Sequence, residues 1–133
     1  MPDAPPRIPV IRMAMMPKDT NVHGTIFGGV ILSLIDQAGA IAVRHLAVER
    51  VVTVCMREVV FREPVFVGDI VACYADVTRI GQTSVTVQVR VDAERLHPNG
   101  LVVHVTDAEV VYVAVDVQGN KVPVTPKPRP AAS

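Results

Sequence analysis

The stretch His23-Gly24-Thr25-Ile26-Phe27-Gly28-Gly29-Val30-Ile31-Leu32-Ser33-Leu34-Ile35-Asp36-Gln37, continuing through Ala38 to Val43, decides the fold. Nearly every residue in it is apolar or small, which predicts a helix buried on almost all sides. Helix character is expected to run to about Leu46, with Thr25 as its cap. The exception is Asp36. A buried carboxylate is costly unless paired, so Asp36 needs either a partner or a purpose. On the 3.6-residue period its face holds Gly29, Leu32, Ser33, Gly39, Ala40 and Val43, a low and partly polar groove with room for a ligand. In a purely structural reading Asp36 caps an amide or pairs with an arginine, and Gly28-Gly29 lets the helix start pack closely. Glycine inside a helix costs about 1 kcal/mol, and the carboxylate costs more. Two costs on one helix point to a site.

The run from Gly24 to Val43 has about the length of a membrane span. Asp36 and Gln37 fall in its second half, no second span follows, and the remaining chain reads as strands, so no membrane partner is expected. At 133 residues the chain is one domain, long enough to bury a core. Lys plus Arg equals Asp plus Glu at 13 each, and the aromatic residues are only Phe27, Phe61, Phe66, Tyr74 and Tyr112. Neither a basic footprint nor a stacking platform for nucleic acid is present. Cys55 and Cys73 lie in apolar, strand-like segments behind no charged-then-apolar leader, and read as reduced core thiols of a cytoplasmic protein.

Working outward, residues 1–9 read as a flexible N-terminal arm with Pro2, Pro5, Pro6 and Pro9. The folded domain is expected over 10–117, and 118–133 as a flexible Pro-rich tail. Strands are predicted at Val10 to Met16, Val51 to Phe61, Ile70 to Ile80, Thr83 to Glu94 and Leu101 to Val115. Thr83 to Glu94 alternates most clearly, with Val85, Val87, Val89, Val91 and Ala93 on one face and polar residues on the other. Val67-Gly68-Asp69, Gly81-Gln82 and His97-Pro98-Asn99-Gly100 carry turn chemistry. The order is therefore one strand, a long apolar helix, and four strands expected to form an antiparallel meander. One twisted sheet wraps only part of such a helix. A second subunit is expected to cover the remainder.

These residues carry a family likeness. Met16 through Gly29 (Met-Pro-Lys-Asp-Thr-Asn-Val-His-Gly-Thr-Ile-Phe-Gly-Gly), the helical Asp36, Phe61 through Asp69 and Gly81 through Val87 resemble hotdog-fold acyl-CoA thioesterases. The match is nearest to bacterial short- and medium-chain hydrolases of the YciA type, related to the brain acyl-CoA hydrolase, and covers roughly Val10 to Val115. The resemblance implies an α+β hotdog fold, an antiparallel sheet wrapped around one long central helix. It also implies a homodimer with two interfacial sites, assembling to a hexamer as a trimer of dimers. The implied substrate is acyl-CoA, with no cofactor because CoA belongs to the substrate, and with no metal. Carried over by position, Asp36 becomes the catalytic carboxylate and Asn21 its partner. The amides around Gly28 and Gly29 become oxyanion donors, and Gly81, Gln82, Thr83 and Ser84 the turn near CoA. Phe27 and His23 join them as substrate contacts, although His23 reads more readily as a loop or cap histidine. Many relatives carry an aspartate and a small residue where this chain has Arg57 and Glu58.

One inference needs no family. Helix N-terminal amides are orphan donors at the positive end of the dipole, suited to the oxyanion formed when a thioester carbonyl is attacked. Yet Gly29 and Asp36 are about 10 Å apart along the helix. Amides from one subunit and Asp36 from its two-fold mate resolve the mismatch. Other arrangements are weaker. His23, His45, His97 and His104 show no metal-ligand spacing with one another or with the cysteines. Ser33 has no nucleophile elbow, and Gly24 to Gly29 lacks a dinucleotide pattern. The alternatives to a thioesterase are a non-catalytic acyl-CoA binding protein and a hotdog enoyl-CoA hydratase. The latter is disfavoured because Ile41, not a histidine, stands five residues after Asp36.

Overall fold

The computed structural model describes residues 7–46, 48, 50–97 and 100–124. In chain order it contains β1 (Ile11–Ala14), a 3-10 turn (Pro17–Asp19), α1 (Gly28–Arg44), β2 (Val51–Arg57), β3 (Ile70–Ile80), β4 (Ser84–Glu94) and β5 (Val102–Ala114). The five strands form one antiparallel sheet in the order β1-β3-β4-β5-β2. α1 lies across its inner face, against β3, β4 and β5. This is the expected α+β hotdog architecture.

The inward valines of β4 (Val85, Val87, Val89 and Val91) are fully buried and meet Ile31, Ile35, Ala38 and Val43 of α1. Each such side chain contributes about 1.5–3 kcal/mol through burial, so the alternating valines anchor the sheet to the helix. Cys73 belongs to the same core, and burial pushes its thiol up to about 12, which keeps it protonated. Gly39 has a specific reason. A Cβ there would collide with the hydroxyl end of Tyr112, which passes close enough to donate to the Asp36 main-chain carbonyl at 2.7 Å. Close approach and hydrogen bond offset the roughly 1 kcal/mol that glycine costs inside a helix. Burial, followed by the nearby Asp36 charge, raises the Tyr112 phenol above the ordinary tyrosine range.

Two expectations are corrected. The helix begins at Gly28 with Phe27 as N-cap and no side-chain cap; Thr25 instead forms a bridge with Phe66. Secondly, only β3, β4 and β5 form a meander. β2 pairs with β5 at the far edge, because the long connection 58–69 carries the chain across the end of the sheet instead of turning it back. Val67-Gly68-Asp69 makes the entry to β3, with Gly68 at a φ of 89°. As expected of one twisted sheet, α1 is covered only in part within the protomer. Ser33, Gln37 and Arg44 form an exposed line, flanked by half-buried Val30, Ala40 and Ile41. Those flanks are the apolar positions that the sheet leaves partly open.

Where they are described, the ends of the chain contact the folded domain. Arg7 pairs with Asp76 at 2.8 Å and lies 5.2 Å from the centre of the Tyr74 ring. After β5 the chain turns at Asp116, whose carboxylate accepts from the Gln118 and Asn120 N–H groups at 2.9 Å. It then returns so that Val124 N–H donates to the Gln82 carbonyl at 2.8 Å. The parts of the expected arm and tail at 1–6 and 125–133 lie outside the described residues. No helix among the described residues is long and apolar enough to cross a membrane.

Candidate active site

At the start of α1 the chain is shaped by Asn21. Its Oδ1 accepts from the His23 N–H at 2.8 Å and the Thr25 N–H at 3.3 Å, and its Nδ2 donates to Thr25 Oγ1 at 2.8 Å. This is an Asx-type turn, the side chain standing in for backbone and holding a tight loop. Phe27 N–H donates to the Asp19 carbonyl at 2.8 Å, tying the loop to the 3-10 turn. The Gly28 and Gly29 N–H groups donate to no carbonyl among the described residues. They are orphan donors at the positive end of the dipole.

The surroundings keep these amides approachable. Phe27 is 56% exposed and its ring lies over Gly29, so close that a Cβ there would meet ring carbons at 2.6 Å. Beside it a cavity of about 120 Å³ is lined by Gly28, Ile31, Phe61, Pro64 and Val65, among others. Phe61 and Val65 arrive on the 58–69 connection, which Arg95 clamps. The Arg95 guanidinium pairs with Asp69, donates to the Pro64 carbonyl at 2.8 Å and lies 4.8 Å from the centre of the Phe66 ring.

Two and a half turns into α1, Asp36 is half-buried on the groove-forming flank of the helix. Its Oδ1 accepts from Thr53 Oγ1 at 2.7 Å. Thr53 faces the helix because it pairs with inward-facing Tyr112. Just beyond it a register shift leaves Val54 as an extra residue, so that Cys55 pairs with Val111 and Met56 with Val110. The bulge reverses the alternation: Met56 points inward and Arg57, opposite Glu109, points outward. Uninterrupted alternation would have turned Arg57 toward the helix.

The remaining candidate stretch, Gly81 to Ser84, closes the β3–β4 hairpin through Gly81 N–H to the Ser84 carbonyl at 2.8 Å. Thr83 and Gln82 carbonyls accept from Ala114 and Val124 N–H groups, each at 2.8 Å. Since Ser84 pairs with Val113 and Val51 with Ala114, this turn lies at the end of the sheet where β2 begins. One protomer thus spreads the candidate residues over three stations. Asn21, His23, Phe27, Gly28 and Gly29 gather at the helix start, Asp36 with Thr53 at mid-helix, and Gly81 to Ser84 toward the helix end. No hydrogen bond joins Asn21 to Asp36 among the described residues, and His23 is exposed.

Thr53, Phe61 and Tyr112 escaped the reading of the sequence as site residues. A threonine within the apolar run Val51-Val52-Thr53-Val54 was the one available signal for Thr53. Its facing depends on a bulge that the residue types do not announce. Glu58, at the end of β2, has a φ of 58°, a left-handed conformation where a small residue would be relaxed.

A single long helix clasped by one curled antiparallel sheet, with orphan amides at its start and an oriented carboxylate at its middle, places the chain among hotdog proteins of the thioester-handling class. Residues 23–97 match the thioesterase superfamily, and the chain belongs to that family. It is 42% identical over 123 residues to the acyl-CoA thioester hydrolase YciA of Salmonella typhimurium, covering 91% of this chain and 87% of that one. The crystal structure of a hexameric hotdog-fold thioesterase of Campylobacter jejuni superposes with a TM-score of 0.82 at 51% identity, covering 88% of this chain and 90% of that one. A hexameric thioesterase of Yersinia pestis superposes with a TM-score of 0.84 at 38% identity, covering 93% and 100%.

Proposed function

We propose that this protein hydrolyses the thioester of short- to medium-chain acyl-CoA to a free fatty acid and CoA, as a homodimer that assembles further into a hexamer. The carrying observation is the pairing on one helix of unsatisfied Gly28 and Gly29 amides with an Asp36 carboxylate oriented by Thr53. The relatives' acyl-CoA hydrolase activity and hexameric state support the same reading.

In this mechanism the thioester carbonyl oxygen lies against the Gly28 and Gly29 amides of one subunit, where the helix dipole stabilises the developing oxyanion. Asp36 of the two-fold mate acts from the other side, attacking the carbonyl directly or drawing a proton from the attacking water. Thr53 donates to Oδ1 and fixes the carboxylate's rotamer, leaving Oδ2 for the reaction. Asn21 shapes the loop that presents the amides. The CoA thiolate leaves readily and needs no strong general acid. Gly81 to Ser84 is the turn assigned to CoA, and Phe27 and His23 flank the acyl end. The sheet edge at β2 favours a two-fold partner there: no strand among the described residues pairs on its outer side, and it exposes Val52 at 45% and Val54 at 54%.

The test is thiol release from a panel of acyl-CoAs by the protein and by Asp36→Asn. The protein is expected to turn over short and medium chains, and the nearly isosteric variant to keep its fold while losing turnover by roughly a thousandfold or more. Near-normal turnover by a folded Asp36→Asn removes Asp36 from the mechanism. CoA binding without any thiol release identifies the acyl-CoA binding protein instead.

A further inference from the structure

Among the described residues, two hydrogen bonds join α1 to the strands, and both end on Asp36. Thr53 Oγ1 donates to the carboxylate Oδ1 at 2.7 Å, and the Tyr112 hydroxyl donates to the main-chain carbonyl of the same residue, also at 2.7 Å. The two donors are cross-strand partners, Thr53 on β2 opposite Tyr112 on β5. The buried positions of α1 are otherwise all apolar or glycine. Apolar burial is non-directional: it presses the helix onto the sheet, and the hydrogen bonds at Asp36 supply the direction. The tyrosine ring is 1% exposed, and its hydroxyl reaches the helix backbone through a notch at Gly39, where a Cβ would lie 2.9 Å from the tyrosine Cζ. In an α-helix the usual donor to the Asp36 carbonyl is the Ala40 N–H, and that same N–H acts on the Tyr112 oxygen. Burial keeps the phenol protonated, so it remains a donor.

We propose that Tyr112 is a positioning residue for the hydrolysis: its hydroxyl fixes the rotation of α1 on the sheet and so, together with Thr53, sets where the Asp36 carboxylate stands. The inference rests on the acyl-CoA hydrolase reading above. A group at the helix surface lies about 5–6 Å from the axis, so a rotation of roughly 10° displaces it by about 1 Å. A misplacement of that size costs about a hundredfold in rate. Thr53 grips only the end of a rotatable side chain. Tyr112 grips the backbone from which that side chain starts, and the two together leave Asp36 one orientation.

A tyrosine that only satisfied its hydroxyl on the nearest carbonyl would lower stability when replaced and leave the chemistry alone. A tyrosine that aims Asp36 acts on the chemical step and not on substrate binding, because Asp36 meets the substrate only at the reacting carbonyl. The two roles therefore separate in kcat and KM.

The experiment is Tyr112→Phe, which keeps the ring and removes the donor while the Asp36 carbonyl retains its helical partner. On a medium-chain acyl-CoA, kcat should fall about ten- to a hundredfold, with KM within about twofold of native. In Tyr112→Phe/Thr53→Val the two losses should not multiply, since both act through one carboxylate. Native kcat in folded Tyr112→Phe, a loss confined to KM, or losses that multiply in the double variant each overturn the proposal. If Tyr112→Phe does not fold, Gly39→Ala retains the hydroxyl but crowds it off the helix. It should show the same fall in kcat at native KM, and native kcat there overturns the proposal. A crystal structure of Tyr112→Phe reads the placement without activity: the distance from Asp36 Oδ1 to Thr53 Oγ1 should lengthen beyond the hydrogen-bonding range of about 3 Å. An Asp36 that keeps its bond to Thr53 overturns the proposal. Should the unmodified protein hydrolyse no acyl-CoA, the functional reading fails separately, and that structure still decides whether Tyr112 places Asp36.

Discussion

Thr53 is the residue whose importance is clearest once the chain is folded. One hydroxyl donates to Asp36 Oδ1 at 2.7 Å, and that carboxylate has no other side-chain donor among the described residues. Thr53→Val keeps the shape and the β-branching but removes the donor. It should lower kcat about tenfold, the worth of one hydrogen bond to a charged group, while KM and melting temperature change little. Thr53→Ser should recover most of the loss. A Thr53→Val enzyme with native kcat would show that Asp36 is aimed by something else. Asn21 differs in kind: its amide is engaged in its own loop. Its contribution passes through the amides it helps to place, so its replacement is expected to disturb loop and turnover together.

The element that decides the site's outer wall is the 58–69 connection. It runs from the outer-edge strand β2 to β3 and carries Phe61 and Val65 to the start of α1. Its shape is held by a nearly buried ion pair, Arg95 with Asp69, whose side chains are 10% and 3% exposed. Asp69 also accepts from the Phe66 N–H at 2.9 Å and the Leu96 N–H at 3.4 Å, so the carboxylate is the hub of the turn. Arg95→Met leaves that hub charged, buried and without its cation. The cost is expected to be about 3–5 kcal/mol, read as a lower urea midpoint at unchanged slope. A loss below about 1 kcal/mol would mean that the backbone donors hold Asp69 without Arg95. Between α1 and β5, Gly39 and Tyr112 form a matched pair, the missing Cβ of one admitting the hydroxyl of the other.

At the scale of the whole molecule, the spacing of functional groups along α1 demands a partner. Gly29 and Asp36 stand about 10 Å apart on one rigid helix, too far to act on one carbonyl. An isologous contact brings each to the other's counterpart. Activity and dimerisation should therefore be inseparable. Mixing Asp36→Asn subunits with Asn21→Ala subunits after reversible dissociation should restore activity to roughly a quarter of the native level, because half the dimers are mixed and each has one intact site. Verified mixed dimers without recovered activity, or an active monomer, would refute a shared site.

The residue order by itself determined the elements and their chemistry. The apolar run with one carboxylate marks α1 and Asp36, strict alternation marks β4, and paired glycines mark the helix start. Such features are local, set by side-chain period and backbone freedom, and so are legible before folding. Which edge β2 would join was not legible. Turn residues before β3 fit a hairpin as well as a crossover, and strand adjacency depends on where the long 58–69 connection travels. The facing of Thr53 escaped for a related reason: a bulge of one residue at Val54 reverses the alternation, and nothing in the residue types places it. Only the packed sheet decided that Thr53 meets Asp36 and that Arg57 turns away, because register is chosen by the pairing of β2 with β5 and by the burial of Tyr112 beneath the helix.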